Sequence, residues 1–102
     1  PWFFVDHCVL PPDTSIGYHC HDTIEEMYFI KEGTGRATAN DVTRDVKPGD
    51  CIPCTLRDAH GLYNNTNKPL VMFNFSVKAR SDQIKQGSEP RKIPFNDYLD
   101  KR

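Results

Sequence analysis

The sequence lacks any apolar run near the roughly 20 residues that a transmembrane helix requires, and no secretory signal is visible at its start. Charge of one sign is also missing, because 13 basic and 14 acidic side chains leave a net charge of −1. There is thus no electrostatic reason to expect a nucleic acid or an anionic membrane as a partner. A helix-turn-helix pattern is absent as well. These absences predict a globular protein, which we expect in the cytoplasm.

Cysteine is scarce, with four residues in the chain. Cys51 and Cys54 have the Cys-x-x-Cys spacing, but a redox or zinc-ribbon motif would need a helix or a second such pair, and the sequence has neither. Pro53 inside the pair also favours a structural role. Cys20 lies between two histidines and is expected to point away from them. We therefore expect reduced thiols, as is usual in the cytoplasm.

What the sequence does contain is a series of short segments rich in aromatic and β-branched residues. Turn signals separate them, among them Asn40-Asp41 and Pro48-Gly49-Asp50. Seven or more such strands without a helical segment predict an all-β fold, an antiparallel sandwich or barrel. The longest segment covers residues 69–78, and the side chains that we expect to face the core there are Val71, Phe73, Phe75 and Val77.

The chain of 102 residues is long enough for one domain with a small core. The strand patterns end at residue 78, so residues 1–78 form the predicted β domain. Residues 79–102 change character, since most of them are polar and they show no periodicity. We expect them to form a C-terminal arm that docks on a neighbouring subunit through residues 93–99, or a disordered tail.

Three histidines and one glutamate form the candidate site. If the stretch around His19 and His21 folds as two strands joined by a tight turn, the period of two places both imidazoles on one face, about 7 Å apart. Glu26 opens the returning strand opposite them, and His60 is the obvious source of a third imidazole. Nitrogen and carboxylate donors together suit a first-row transition metal rather than Ca²⁺ or Mg²⁺. The sequence therefore predicts a site for a divalent transition metal (Fe, Mn, Ni, Co, Cu or Zn).

The spacing of these residues resembles the first motif of the cupin superfamily. That motif has a His-x-His pair, a glutamate after three or four residues and a glycine after six more. Here His19-Cys20-His21 is followed after four residues by Glu26 and after six more by Gly33. A lone His-x-His pair would be a weak signal, but a second cupin motif further along the chain agrees in order and spacing, which makes the resemblance specific.

The second cupin motif is matched in length and differs in detail. Gly49 is followed after ten residues by His60 and after three more by Asn64. Thr55 stands where the family usually has a second glycine, and Pro53 comes two places early. These differences leave the shape of the turn before the histidine open, but not the presence of the histidine.

Neighbouring side chains leave alternatives open. Glu25 is the rival ligand, but its spacing fits the motif less well and strand parity then sends it outward. Tyr28 shares the face of Glu26 and is the candidate catalytic residue, whose phenol orients a substrate or transfers a proton. Alternatively it is a core tyrosine whose hydroxyl finds a backbone partner. Arg57 and Asn64 flank the last histidine, and either contacts an anionic substrate or supports the turn.

The resemblance covers about residues 9–77 and implies a small single-domain cupin with a jelly-roll barrel. It also implies metal-dependent chemistry on a small-molecule substrate in the barrel pocket, and our first expectation is a dioxygenase. The alternatives are a lyase or isomerase with Tyr28 as acid or base, and a non-catalytic module that binds a sugar or another small molecule. Because cupins often pair sheets or swap terminal strands, we expect a homodimer formed through Trp2-Phe3-Phe4 or the C-terminal arm.

Overall fold

The computed structural model describes residues 2–79 and 101–102, apart from the side chains of Trp2 and Phe3, and these residues form eight strands. The strands are β1 (Trp2–Leu10), β2 (Ser15–Cys20), β3 (Ile24–Glu32), β4 (Gly35–Ala39), β5 (Val42–Val46), β6 (Cys51–Cys54), β7 (Ala59–Tyr63) and β8 (Leu70–Lys78). They confirm the predicted all-β class. A helix long and apolar enough to cross a membrane does not occur in the described part of the chain.

Two antiparallel sheets of four strands form the fold. The first sheet has the order β1-β8-β3-β6, and the second has the order β2-β7-β4-β5. Neighbours within each sheet are mostly distant in sequence, which is the connectivity of a jelly roll rather than of simple hairpins. The predicted antiparallel jelly-roll sandwich is therefore confirmed.

The core lies between the sheets and follows from the alternation of side chains along each strand. On β3, Glu26, Tyr28 and Ile30 are buried while their neighbours are less so. The residues of the core cluster are Leu10, Tyr28, Ile30, Ala37, Val46, Leu62, Leu70 and Met72. Glu26 extends the same inward face beyond the apolar cluster, so a carboxylate enters the space between the sheets.

The orientation predicted for β8 was wrong. Leu70 and Met72 are fully buried, and Val71 of the predicted set is also buried, whereas Phe73, Phe75 and Val77 are only half-buried. Both faces of this strand carry apolar side chains, so composition alone does not decide which face turns inward. The pairing with β3 decides it, because Met72 lies opposite Ile30 on the inward side, and a shift of one residue would exchange the two faces.

The outward side chains of the first sheet form an apolar surface, which we call the outer apolar face. It consists of Val5, Val9, Met27, Phe29 and Phe73. Val5 and Val9 are 51% and 52% exposed. Charged residues of β3 bound this face, with Glu25 at one end and Lys31 at the other, and the Lys31 ammonium lies 5.7 Å from the ring centroid of Phe73.

The chain after β8 is described only at its two ends. The backbone N–H of Ala79 donates to the carbonyl of Thr23 at 2.8 Å. The ammonium of Lys101 pairs with the carboxylate of Asp13 at 3.0 Å. The docking segment predicted at residues 93–99, and most of the arm predicted at 79–102, lie outside the described residues.

Candidate metal centre

The four predicted ligands meet between the two sheets. The Nε2 atom of His19 lies 3.0 Å from Nε2 of His21 and 3.1 Å from Nε2 of His60. The Oε2 atom of Glu26 lies 3.1 Å from Nε2 of His21 and 3.2 Å from Nε2 of His60. One donor atom from each residue falls within 4.8 Å of all the others. The structure thus brings together residues from both sheets that are up to 41 positions apart in sequence.

The spacing of the donor atoms fits a transition metal. A metal bound at about 2.1 Å to two nitrogen or oxygen ligands at right angles holds them about 3.0 Å apart, and tetrahedral angles would hold them about 3.4 Å apart. The four neighbouring distances of 3.0 to 3.2 Å match the right-angled arrangement. Three imidazoles and one carboxylate are also a donor set that first-row metals accept. The residues present therefore fit the metal that the sequence predicts.

Protonation states favour cation binding. Burial alone would raise the pKa of Glu26, but its hydrogen bonds with His21 and His60 outweigh burial and hold the pKa well below its ordinary value. The carboxylate is therefore an anion at neutral pH. Burial lowers the pKa of His19, which favours the neutral imidazole that ligates metals.

Groups behind the ligands fix their orientation. The Nδ1–H of His19 donates to the carbonyl of Gly17 at 2.6 Å, which leaves the Nε2 lone pair directed into the cluster. β2 departs from regular pairing between Ile16 and His19, so this contact sits at an irregular point of the strand. The amide of Asn74 donates to Oε1 of Glu26 at 3.4 Å. Asn74 was missed because β8 was predicted with the wrong face inward, and its register with β3 is the signal that would have found it.

The turn before His60 is built without the usual second glycine. The backbone N–H and the hydroxyl of Thr55 both donate to Oδ2 of Asp58, at 3.0 and 2.7 Å. Arg57 instead adopts the left-handed conformation, with φ at 69°, and its N–H donates to the carbonyl of His21 at 2.7 Å. This turn joins the chain before β7 to the histidine pair.

Asn64 supports a turn rather than the site. Its side chain is fully buried, and its amide donates to the carbonyls of Leu10, Pro11 and Lys68. Its oxygen accepts from the N–H and the hydroxyl of Thr66. These five hydrogen bonds occupy both ends of the amide, which decides the alternative left open by the sequence.

Tyr28 lies at the edge of the donor cluster. Its hydroxyl is 3.4 Å from Nε2 of His60, and the two rings stack with centroids 4.7 Å apart. The partner of the hydroxyl is therefore the imidazole of a candidate ligand and not a backbone group. Burial and the nearby charge of Glu26 raise the pKa of the Tyr28 hydroxyl well above its ordinary value, so Tyr28 is an O–H donor at neutral pH.

The cysteines take no part in the cluster. The thiol of Cys20 donates to the carbonyl of Arg57 at 3.1 Å, so it points away from the histidines as predicted. Cys51 is exposed and Cys54 is buried, and all four cysteines have free thiols. Burial raises the pKa of the Cys54 thiol to about 12, which suppresses the reactive thiolate.

The fold is a jelly-roll sandwich that gathers three histidines and a glutamate between its sheets as a candidate metal centre. Comparison with known families agrees, because a family model described as a cupin domain matches residues 6–77. The chain therefore belongs to the cupin family.

One relative and two solved structures show how similar individual proteins are to this chain. The uncharacterized protein MJ1618 of Methanocaldococcus jannaschii is 36% identical over 65 residues, which make up 64% of this chain and 52% of that protein. This chain thus spans about half the length of that relative. A predicted oxalate decarboxylase of Thermotoga maritima is similar in structure, with a TM-score of 0.74 and 26% identity over 76% of this chain and 68% of that one. A putative sugar phosphate isomerase of Acidithiobacillus ferrooxidans has a TM-score of 0.67 at 19% identity, over 74% of this chain and 49% of that one.

Proposed function

We propose that this chain is a metal-dependent cupin enzyme that acts on a small organic molecule and that its reaction is a dioxygenation. The observation that carries the proposal is the convergence of His19, His21, Glu26 and His60 on one point between the sheets. Four protein donors in a right-angled field leave one or two positions where water, dioxygen or an organic ligand binds.

The protein's own groups have separate parts in this proposal. The buried carboxylate of Glu26 offsets the charge of a cation, and Asn74 holds its outer oxygen in place. The hydroxyl of Tyr28 offers a proton or a hydrogen bond beside the ligand His60. Ile30 follows Tyr28 on the inward face of β3 and lies opposite Met72. These two fully buried side chains exclude water from one side of the site.

A lyase or isomerase reaction is the second candidate. The Tyr28 hydroxyl favours it, because an O–H group next to a metal ligand is the acid or base that proton transfer requires. The structural neighbours named above include a predicted decarboxylase and a putative isomerase, and they leave both kinds of chemistry open. A cytoplasmic location is part of the proposal, since four free thiols suit a reducing compartment.

Oxygen uptake by the metal-loaded protein tests the reaction. With a panel of small organic acids, alcohols and thiols, we expect uptake that a chelator abolishes. Tyr28→Phe is expected to lower kcat by about 100-fold, since general acid catalysis contributes about 10²- to 10⁴-fold, while metal content stays unchanged. Tyr63→Phe is the control, because that hydroxyl bonds to exposed Asp13. Turnover without oxygen uptake would favour the lyase or isomerase, and binding without turnover would favour a binding module.

We also propose that two copies pair through the outer apolar face. Exposed Val5 and Val9 lie on the same side of the sheet as half-buried aromatic rings, and apolar patches of this kind are typical of an interaction surface. The charges at its ends are self-complementary, because a two-fold axis through the middle of β3 sets Glu25 against Lys31 of the partner subunit. The homodimer expected from the sequence forms through Trp2-Phe3-Phe4 or the C-terminal arm, whereas this interface uses Val5 and Val9 of β1 instead.

Phe73→Glu is expected to convert the dimer into a monomer, because it places a charge in the middle of the outer apolar face. Light scattering on a sizing column measures the mass directly. Val42→Glu is the control, since Val42 is exposed to the same extent as Val5 and Val9, at 53%, but lies on β5 of the other sheet. A monomeric mass for the unaltered protein, or a dimer that survives Phe73→Glu, would contradict this interface.

A further inference from the structure

A cavity of about 490 Å³ opens between the sheets on the side of β5 and β6. These two strands are the edges of their respective sheets, so the sandwich is open between them. The volume falls in the range of about 300 to 1,000 Å³ that small-molecule sites occupy. Apolar side chains of both sheets form most of the wall.

The inner end of this cavity lies next to the metal centre. Ala39, in its lining, is directly opposite His60 on the neighbouring strand. Ile52, in the facing wall, is directly opposite Tyr28. Paired strands are about 4.8 Å apart. The cavity lining is therefore one strand away from the stacked rings of His60 and Tyr28. The small side chains of Ala37 and Ala39 leave this space open.

Among the described residues that line the cavity there is one cationic side chain, Arg44. Val42, Arg44 and Val46 alternate on β5, and the register sets Arg44 opposite Ala37 on the cavity side. Within residues 2–79 and 101–102 the Arg44 guanidinium has no hydrogen-bond or ion-pair partner, and its side chain is exposed. A guanidinium beside an apolar wall is suited to hold a carboxylate through two parallel hydrogen bonds.

Two carboxylates, Asp45 and Asp50, also line the cavity, but within the described residues neither pairs with Arg44. Asp50 accepts hydrogen bonds from the backbone N–H of Lys47 at 2.9 Å and from its ammonium at 3.4 Å. Asp45 is adjacent to Arg44 in the strand and alternates to the other face, where the register sets it opposite Arg36. As far as the described residues go, the positive charge of Arg44 is therefore available to a ligand.

We propose that this cavity binds the substrate of the metal centre and that the substrate is a small organic acid. Its carboxylate pairs with Arg44, and its apolar body lies along Ala37, Ala39 and Ile52 toward His60. This inference rests on the proposed function and narrows its substrate class. Arg44 is on this view a specificity-determining residue, with no part in holding the metal.

Binding of two matched probes tests the proposal. Hexanoate and hexanamide have the same apolar chain and differ in charge, and chemical-shift titration gives an affinity for each without any turnover. We expect hexanoate to bind more tightly than hexanamide. Arg44→Gln should weaken hexanoate by about tenfold or more, because a hydrogen bond to a charged group contributes about 1.5 to 3 kcal/mol, and it should leave hexanamide unchanged.

Two further variants sharpen the result. Arg36→Gln removes a positive charge from the same sheet on its other face, and it should leave both affinities unchanged. Ala39→Leu fills the inner end of the cavity and should weaken both probes. The proposal is overturned if hexanoate fails to bind, if it binds no better than hexanamide, or if Arg44→Gln and Arg36→Gln weaken it equally.

Metal content measured on the same samples separates this inference from the proposed function. Hexanoate binding that depends on Arg44, in a protein that takes up no metal, would support the cavity and overturn the enzyme. A metal-loaded protein whose hexanoate binding ignores Arg44 would leave the enzyme standing and overturn the organic acid as its substrate.

Discussion

Replacing His60 with alanine is expected to remove the bound metal from the purified protein. His60 is 1% exposed, and its Nε2 atom lies within 3.2 Å of donor atoms of both His19 and Glu26. Loss of a residue behind a metal ligand costs about 10- to 100-fold in affinity, so loss of a ligand should cost at least about 100-fold. Elemental analysis should fall from about one metal per chain to near zero.

The fourth histidine provides a matched control for this experiment. His7 lies on β1, with its ring 5.3 Å from the ring of Phe73 on the outward side of the first sheet. His7→Ala should therefore keep the full metal content. Glu26→Gln, which preserves shape and removes the charge, should behave like His60→Ala, and circular dichroism checks that each variant is folded. Equal metal in His60→Ala and His7→Ala would show that the cluster is not the metal site.

Gly33→Ala should destabilise the fold strongly. Gly33 follows β3 with φ at +82°, and a Cβ built there would lie 2.5 Å from the carbonyl oxygen of Pro69 and 3.1 Å from Cα of Leu70. Backbone would have to move, since neither atom belongs to a flexible side chain. Overpacking costs about 1 to 3 kcal/mol, and a left-handed alanine adds about 1 to 2 kcal/mol, so we expect a loss of about 2 to 5 kcal/mol.

Gly49→Ala separates the two causes. Gly49 has a similar φ of +93°, but a Cβ there would meet no atom within 4 Å. Its replacement should cost only the conformational part, about 1 to 2 kcal/mol. Urea unfolding of the two variants gives both values. If they are equally stable, the contact between the end of β3 and the start of β8 does not need a glycine.

Three of the four candidate ligands, His19, His21 and Glu26, were predictable because their placement depends on local spacing. Along β3 a period of two places Glu26 and Tyr28 on the same side, whichever strands lie beside it. His19 and His21 are likewise separated by one residue. Their partner His60 needed a long-range contact, and the second motif placed it correctly by distance along the chain.

Features that depend on pairing between distant strands were not predictable from the chain alone. β8 has apolar side chains on both faces, so its inward face follows from its register with β3. Asn74 went unrecognised as the partner of Glu26 for the same reason. The left-handed Arg57 was also missed, because the turn depends on the hydrogen bonds of Asp58 and on the carbonyl of His21.

The distribution of the ligands over both sheets has a kinetic consequence. Glu26 belongs to β3 of the first sheet, while His19 and His60 belong to β2 and β7 of the second. A bound ion is then held by both layers at once, and we expect it to leave or exchange slowly in the folded protein. The identity of the bound metal would then be set while the chain folds. The metal found in purified samples should therefore depend on which metals were available in the cell that produced the protein.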